Sequence, residues 1–376
     1  MTRVGTAIFL TALVAAMCGS VRASHHHRHH HQHGGDAPAP VVLDLSPVVV
    51  QPYVVPVAVA DPARASFLRR MNLENGAEVR STRWIANGDI TTRNLFVLSV
   101  TQSLEGGFDS VNVYDRGVLS WGIMQWTAGT GSLQPALVYV KRRLLATGQA
   151  RVWNKVFVAQ GLDVDKRGLI AYGKPLLADA DVRLAFRGSA IRGNYDPKIV
   201  RYWATVFARA GRQTPIQRFQ AEYAAQVVDQ VLTSPLPSVP FHAPGREATV
   251  ASLSGHDPYA EALAFALWTN NPRHAREYMA DAARAARHLG GSDDPALWPF
   301  GVYRAALSGR CRAGQFSNWR QRADALDARA ALLRTSAPGE LSPFERACQR
   351  ALAARKAHLV LLASRHRAAA RTRPSR

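Results

Sequence analysis

Cysteine is scarce in this chain, three of 376 residues, and one of the three, Cys18, lies in an apolar N-terminal stretch. That excludes a small scaffold held mainly by disulfides, and no Cys/His spacing has the pattern of a zinc site. Acid is scarce as well: 27 Asp and Glu stand against 47 Lys and Arg, for a formal charge of +20. Such a chain repels polycations and attracts polyanions. Nucleic acid is the usual polyanion for a basic protein, but no helix-turn-helix and no aromatic strand motif is present, so no nucleic-acid partner is expected. The arginines are scattered along helical segments and read mostly as solvated helix faces. Apolar runs long enough to cross a bilayer are missing, so no membrane span is expected. No internal repeat is evident.

What the N-terminus does have is the pattern of a secretory signal. Arg3 supplies the positive start, Ala7 to Met17 the apolar core, and Val21-Arg-Ala23 a small-residue cleavage site. Residues 1–23 are thus expected to direct export, to the periplasm, the cell envelope or the medium. Ala15-Ala-Met17 matches a lipoprotein signal poorly, which makes Cys18 a weaker anchor candidate. Cleavage removes Arg3 and Arg22 but no acid, taking the charge from +20 to +18. It also leaves Cys311 and Cys348 as an even pair. In an exported protein that predicts a disulfide tying down the C-terminal helices, with two buried free thiols as the alternative. From His25 to His33 seven histidines are interrupted by Arg28 and Gln32. A disordered leader is the plainest reading of this tract; metal capture and a tail that becomes positive below about pH 6.5 are the others.

Residues 24–60 read as a His- and Pro-rich linker, since prolines at 38, 40, 47, 52 and 56 prevent regular helix. From about residue 62 the pattern is mainly helical. Asp196-Pro197, Thr214-Pro215, Asp257-Pro258, Asn271-Pro272 and Asp294-Pro295 each place a capping residue before a first-turn proline. Ile216, Phe219, Tyr223, Val227 and Val231 share one helical face and read as core. Two more helices are expected over 258–288. The expected organisation is a catalytic domain over 61–295 and a helical extension with a basic tail over 296–376.

The most informative stretch begins at Asn94. Asn94 to Leu104 has helical length and enough apolar residues to be buried, and Gly106-Gly107 is a plausible stop. Glu105 therefore ends a buried helix, near its negative pole and beside apolar packing, a setting that suits a proton donor. Val111 and Val113 alternate with polar neighbours, Asp115-Arg-Gly117 signals a turn, and Val118 to Trp126 reads as a returning strand. Such a hairpin would bring Asp115 back towards Glu105 and set Gln125 and the Trp side chains along a groove.

Glu105, Asp115-Arg-Gly and Trp121-Gly-Ile-Met-Gln125 together resemble the Glu … Asp-Arg-Gly … Phe-Gly-Leu-Met-Gln signature of goose-type lysozymes and soluble lytic transglycosylases. The likeness covers about 22 of 376 residues. It implies a mainly α, lysozyme-like helical domain with a small β-hairpin at the active site, acting on the β-1,4-linked glycan of peptidoglycan or a related polysaccharide. It makes Glu105 the general acid, puts Gln125 in the substrate groove, and offers Asp115 as a second carboxylate. Asp109 is the runner-up for that role. Ser120, Trp121 and Trp126 are the further groove candidates, and Tyr202 and Trp203, from a neighbouring helix, are more simply core. Neither a metal nor an organic cofactor is required. Three departures stand out: Glu105 and Asp115 are closer than in goose-type enzymes, Gly106 replaces the usual Ser, and there is no later Ala-Tyr-Asn-Ala-Gly motif. Thr127-Ala-Gly-Thr-Gly131-Ser-Leu also resembles chitosanases, although chitosan, itself polycationic, would be repelled. A wall-binding protein that keeps the fold without activity is the rival outside enzymes.

Overall fold

A computed structural model describes residues 87–113, 117–236, 248–255, 257–292, 294–295, 298–335 and 346. The expected signal, the His-rich linker, Asp115, Cys348 and the basic tail lie outside the described residues. Within them the chain is mainly α, with eleven helices and two small antiparallel sheets.

Two helices form the centre. Helix α1, Thr92–Glu105, starts where the Thr91 side chain accepts from the Asn94 N–H. Leu95 to Leu98 and Val100 are all buried. Strands β1 (Val111–Asn112), β2 (Ser120–Trp121) and β3 (Trp126–Thr127) follow, then α2 (Leu133–Ala146) and α3 (Ala150–Val156). A second sheet, β4 (Leu162–Asp165), β5 (Gly168–Ala171) and β6 (Lys174–Pro175), precedes α4 (Asp179–Arg187) and α5 (Pro197–Gly211). Helix α6, Thr214–Thr233, buries Ile216, Phe219, Val227 and Val231 as its stripe requires. After the short α7 (Val250–Ser254) comes the second central helix, α8 (Pro258–Asn270), buried continuously from Tyr259 to Leu267. A helix apolar on all sides must be surrounded. Leu263→Ala, at its centre, is expected to cost about 2–5 kcal/mol. Phe96 meets Tyr259 edge-on at 5.2 Å, and Arg93 holds Glu261 through two bonds of 2.8 Å, so α1 and α8 are tied by both apolar and charged contacts.

Helices α9 (Pro272–Gly290), α10 (Val302–Ala313) and α11 (Ser317–Thr335) follow among the described residues. They share the core: one continuous hydrophobic cluster runs from Ile90 to Ala330 and includes Leu307, Trp319 and Leu326. Asp196, Asp257 and Asn271 cap their helices as their Asp-Pro and Asn-Pro pairs predict. Thr214 instead lies inside α6, with Gln213 preceding it. Cys311 is a buried free thiol, so the disulfide expected of it is not made; burial pushes that thiol up to about 12. Among the described residues no helix is long and apolar enough to cross a membrane. Many arginines do more than face solvent. Arg304 and Arg312, for example, link Asp257, Asp324 and Asp327 across α10, α11 and the start of α8.

The returning strand expected from Val118 to Trp126 is two strands. Val111 pairs with Trp121 and Trp121 with Trp126, with a tight turn over Gly122–Gln125. That turn is why Gln125 lies off the strands, at φ 48°.

Candidate functional site

Glu105 is the last residue of α1. Gly106 ends the helix at φ 127°, its N–H donating to Gln102 O. A Cβ at 106 would stand 2.7 Å from Ser110 Oγ, which already accepts the Gly107 N–H at 2.7 Å. The glycine that departs from the resembled motif is therefore required by this turn, and Ser110 brings a hydroxyl to the place.

The Glu105 side chain is 9% exposed and lies among helices. Its Oε1 is 3.1 Å from Thr269 Oγ1 on α8 and forms an ion pair with Arg322 Nη1 on α11. Arg322 is itself only 12% exposed. Thr269 Oγ1 also lies 2.9 Å from Ala266 O, so its single proton serves one acceptor at a time. The apolar surround expected for Glu105 is thus corrected: a guanidinium and a hydroxyl meet the carboxyl group. A glutamate paired with arginine accepts hydrogen bonds, here at Oε1 from Arg322.

Gln125 comes next to this helix end. Its backbone N–H and its Nε2 both donate to Gly122 O at 3.0 Å. A Cβ at Gly106 would be 3.4 Å from that Nε2, which places the Gln125 amide against the residue after Glu105. Of the other groove candidates, Ser120, Trp121 and Trp126 are buried. Trp121 packs on Phe207 at 5.4 Å and Phe157 at 6.1 Å, and Trp126 on Tyr223 at 5.7 Å. Their rings are core, because the sheet they belong to is covered on both faces; they do not line a surface open to solvent.

Asp109 is also buried, in an ion pair with Arg212 Nε at 3.4 Å. The end of α5 presses on it: a Cβ at Gly211 would fall 2.5 Å from Asp109 Cα. Asp115 lies outside the described residues, but Val113 and Val118 on either side of it are clasped. The buried Arg187 of α4 donates to Val113 O at 2.7 Å and to Val118 O at 3.1 Å.

Arg322, Thr269, Arg187 and Arg212 are the contributors that sequence reasoning did not single out. Nothing local marks them, because each sits among other arginines or helix formers and acts on a residue far away in the chain. Among the described residues no group of three or more His, Cys, Asp or Glu is placed to hold a metal ion. Comparison with protein-family models, with curated protein sequences and with solved structures gives no match to this chain.

Proposed function

We propose that this is an exported, peptidoglycan-cleaving muramidase, a lysozyme or lytic transglycosylase, with Glu105 as general acid. The observation that carries the reading is the placement of Gln125. The two ends of the resembled motif, 20 positions apart in sequence, meet where Gln125 Nε2 would lie 3.4 Å from a side chain at Gly106. In this mechanism the Glu105 carboxyl protonates the glycosidic oxygen after Arg322 swings away, and the Gln125 amide holds a sugar substituent. Asp115 is the second carboxylate of the proposal, to position water or steady the oxocarbenium-like transition state, because Asp109 is already engaged by Arg212. The charge of +18 left after cleavage of the signal supports attraction to an anionic wall.

One observation favours a second reading. The Glu105–Arg322 pair gives this glutamate a structural use, as a catalytically silent wall-binding protein would. Mass spectrometry of peptidoglycan and of chitosan after incubation with the purified protein separates the cases. Anhydro ends on peptidoglycan mean transglycosylation, and new reducing ends mean hydrolysis. Cleavage of chitosan alone would support the chitosanase-like alternative. Intact glycan that cosediments with the protein would overturn the enzyme reading in favour of the silent one.

A further inference from the structure

Far from Glu105 in sequence, Tyr172 and Gly173 make the two-residue loop between β5 and β6, with Ala171 paired to Lys174 across it. Both loop residues have positive φ, 51° and 76°. A loop of this kind favours Asn-Gly or Asp-Gly, since a left-handed backbone crowds a bulky side chain. Tyr172 is therefore a residue that its own turn disfavours. Its N–H donates to Gly161 O at 2.6 Å, and its ring covers Gly161, where a Cβ would come within 2.7 Å of two ring carbons. The rest of the residue is open, 62% exposed. Tyr202 on α5 is 38% exposed, and its hydroxyl donates to Gln160 O at 2.8 Å, the residue before Gly161. Both rings lean on the fully buried Trp203, with centroids 5.8 and 5.1 Å from it. Trp203 is in turn fixed by donating its indole N–H to Ala185 O at 2.8 Å.

Two exposed phenol rings are thus held on one rigid support, one of them against the preference of its turn. Strain of that sort persists when something other than local stability keeps the residue. Each ring offers an apolar face with a hydroxyl at its tip, and little conformational freedom is lost when it is covered. A pyranose chain has the matching surface: flat C–H faces rimmed by hydroxyls and amides. Lys198, exposed one helical turn before Tyr202, and the exposed Lys174 beside the loop suit a polymer that also carries negative charge. We propose that Tyr172 and Tyr202 form a binding surface for a β-1,4-linked amino-sugar chain, on elements separate from those that hold Glu105. The class of ligand rests on the function proposed above; the surface does not depend on Glu105 being catalytic.

The test uses full-length protein carrying Glu105→Gln, so that the probe is not consumed, and titrates it calorimetrically with a β-1,4-linked N-acetylglucosamine hexamer. Adding Tyr172→Asn removes the ring while giving the turn a residue it prefers. Affinity is expected to fall about tenfold, with the melting temperature unchanged or higher. Tyr202→Ala is expected to weaken binding similarly, and Tyr202→Phe to keep it. Unchanged affinity in Tyr172→Asn, a fall in affinity that comes with a fall in melting temperature, or no binding of the hexamer by the starting protein would each overturn the surface. Peptidoglycan cleavage by protein with Glu105 intact is scored separately. Cleavage with unchanged hexamer binding in Tyr172→Asn sinks the surface and leaves the enzyme reading standing. Weakened binding with no cleavage by the unaltered protein does the reverse.

Discussion

The two sheets share a plan and differ in surroundings. Each has three antiparallel strands in sequence order, and each contains a non-glycine residue at positive φ. In the β1–β3 sheet these are Val118 and Gln125. Val118 is buried and its carbonyl accepts from Arg187; Gln125 is partly buried and bonded twice to Gly122 O. In the β4–β6 sheet it is Tyr172, at the surface. A left-handed residue costs roughly 1–2 kcal/mol wherever it sits. In the inner sheet the cost is offset by packing around Val118 and by hydrogen bonds at both residues. In the outer sheet the support is one backbone bond and a ring laid over Gly161 and against Trp203, and the residue stays open to solvent. Equal strain with unequal support marks the inner turn as architecture and the outer one as a place where a side chain is held out.

The largest expected effect sharpens the inner half of that comparison. Glu105→Gln is nearly isosteric and can still accept from Thr269 and Arg322, so the fold should hold, while glycan cleavage should drop by about 10²–10⁴ if general-acid catalysis is its role. Cleavage at the unaltered rate in a dye-labelled peptidoglycan assay would remove Glu105 from the chemistry. Arg322→Leu comes next. It leaves the Glu105 carboxylate buried without its counter-ion, and the expected loss is about 3 kcal/mol in urea unfolding. Combining it with Glu105→Leu, which replaces the pair by apolar groups, should recover most of that loss; a double variant as unstable as the sum of the singles would show that the two residues do not act as a pair.

Gln125→Gly is a smaller perturbation. It relieves the left-handed strain but gives up the Nε2 bond and adds backbone freedom, so stability should stay within about 1 kcal/mol of the starting protein. Cleavage should nevertheless fall, because the amide beside Gly106 is gone; an activity loss no larger than the stability change would demote Gln125 to a turn residue. The smallest effect probes the outer sheet's anchor. Asp163 on β4 accepts from Lys141 Nζ at 2.6 Å, Trp153 Nε1 at 3.0 Å and its neighbour's N–H at 2.8 Å. Burial pushes this carboxyl up, but those three donors together hold it below the usual carboxylate range. A depressed folded-state pKa contributes stability above the unfolded value of about 3.9, and the contribution is lost as pH falls through the folded value. With the side chain 35% exposed, Asp163→Asn should cost less than about 1 kcal/mol near neutral pH. The gap from the unaltered protein should begin to narrow below about pH 4; an undiminished gap at pH 3 would contradict the assignment.

What was legible in the sequence was local. Asp196, Asp257 and Asn271 declared their caps because the capping side chain and the first-turn proline are adjacent. The α6 stripe declared its buried face because helical periodicity is a short-range property. The stop at Gly106 followed from the glycines after Glu105. The β4–β6 sheet was readable in principle: Leu162 and Val164 alternate with Asp163 and Asp165, and Asp165 Oδ1 accepts from the N–H groups of Arg167 and Gly168 to close the turn. Four-residue strands in a helical chain leave a weak signal. The partner of Glu105 was not readable at all. Arg322 shares its helix with Arg320 and Arg329, and only the packing of α11 on α8, through the buried Trp319 and its bond to Asn270, decides which arginine reaches inward.

The distance along the chain between Glu105 and Arg322, 217 residues, also has a consequence in time. At about 5–20 residues per second, a ribosome needs roughly ten to forty seconds to travel from one codon to the other. Through that interval α1 has been made but its counter-ion has not, so its C-terminal end is better left in water than packed. Among the described helices α11 is the last to be made, and its Arg322 is what allows the end of α1 to be buried, so this contact joins the core late.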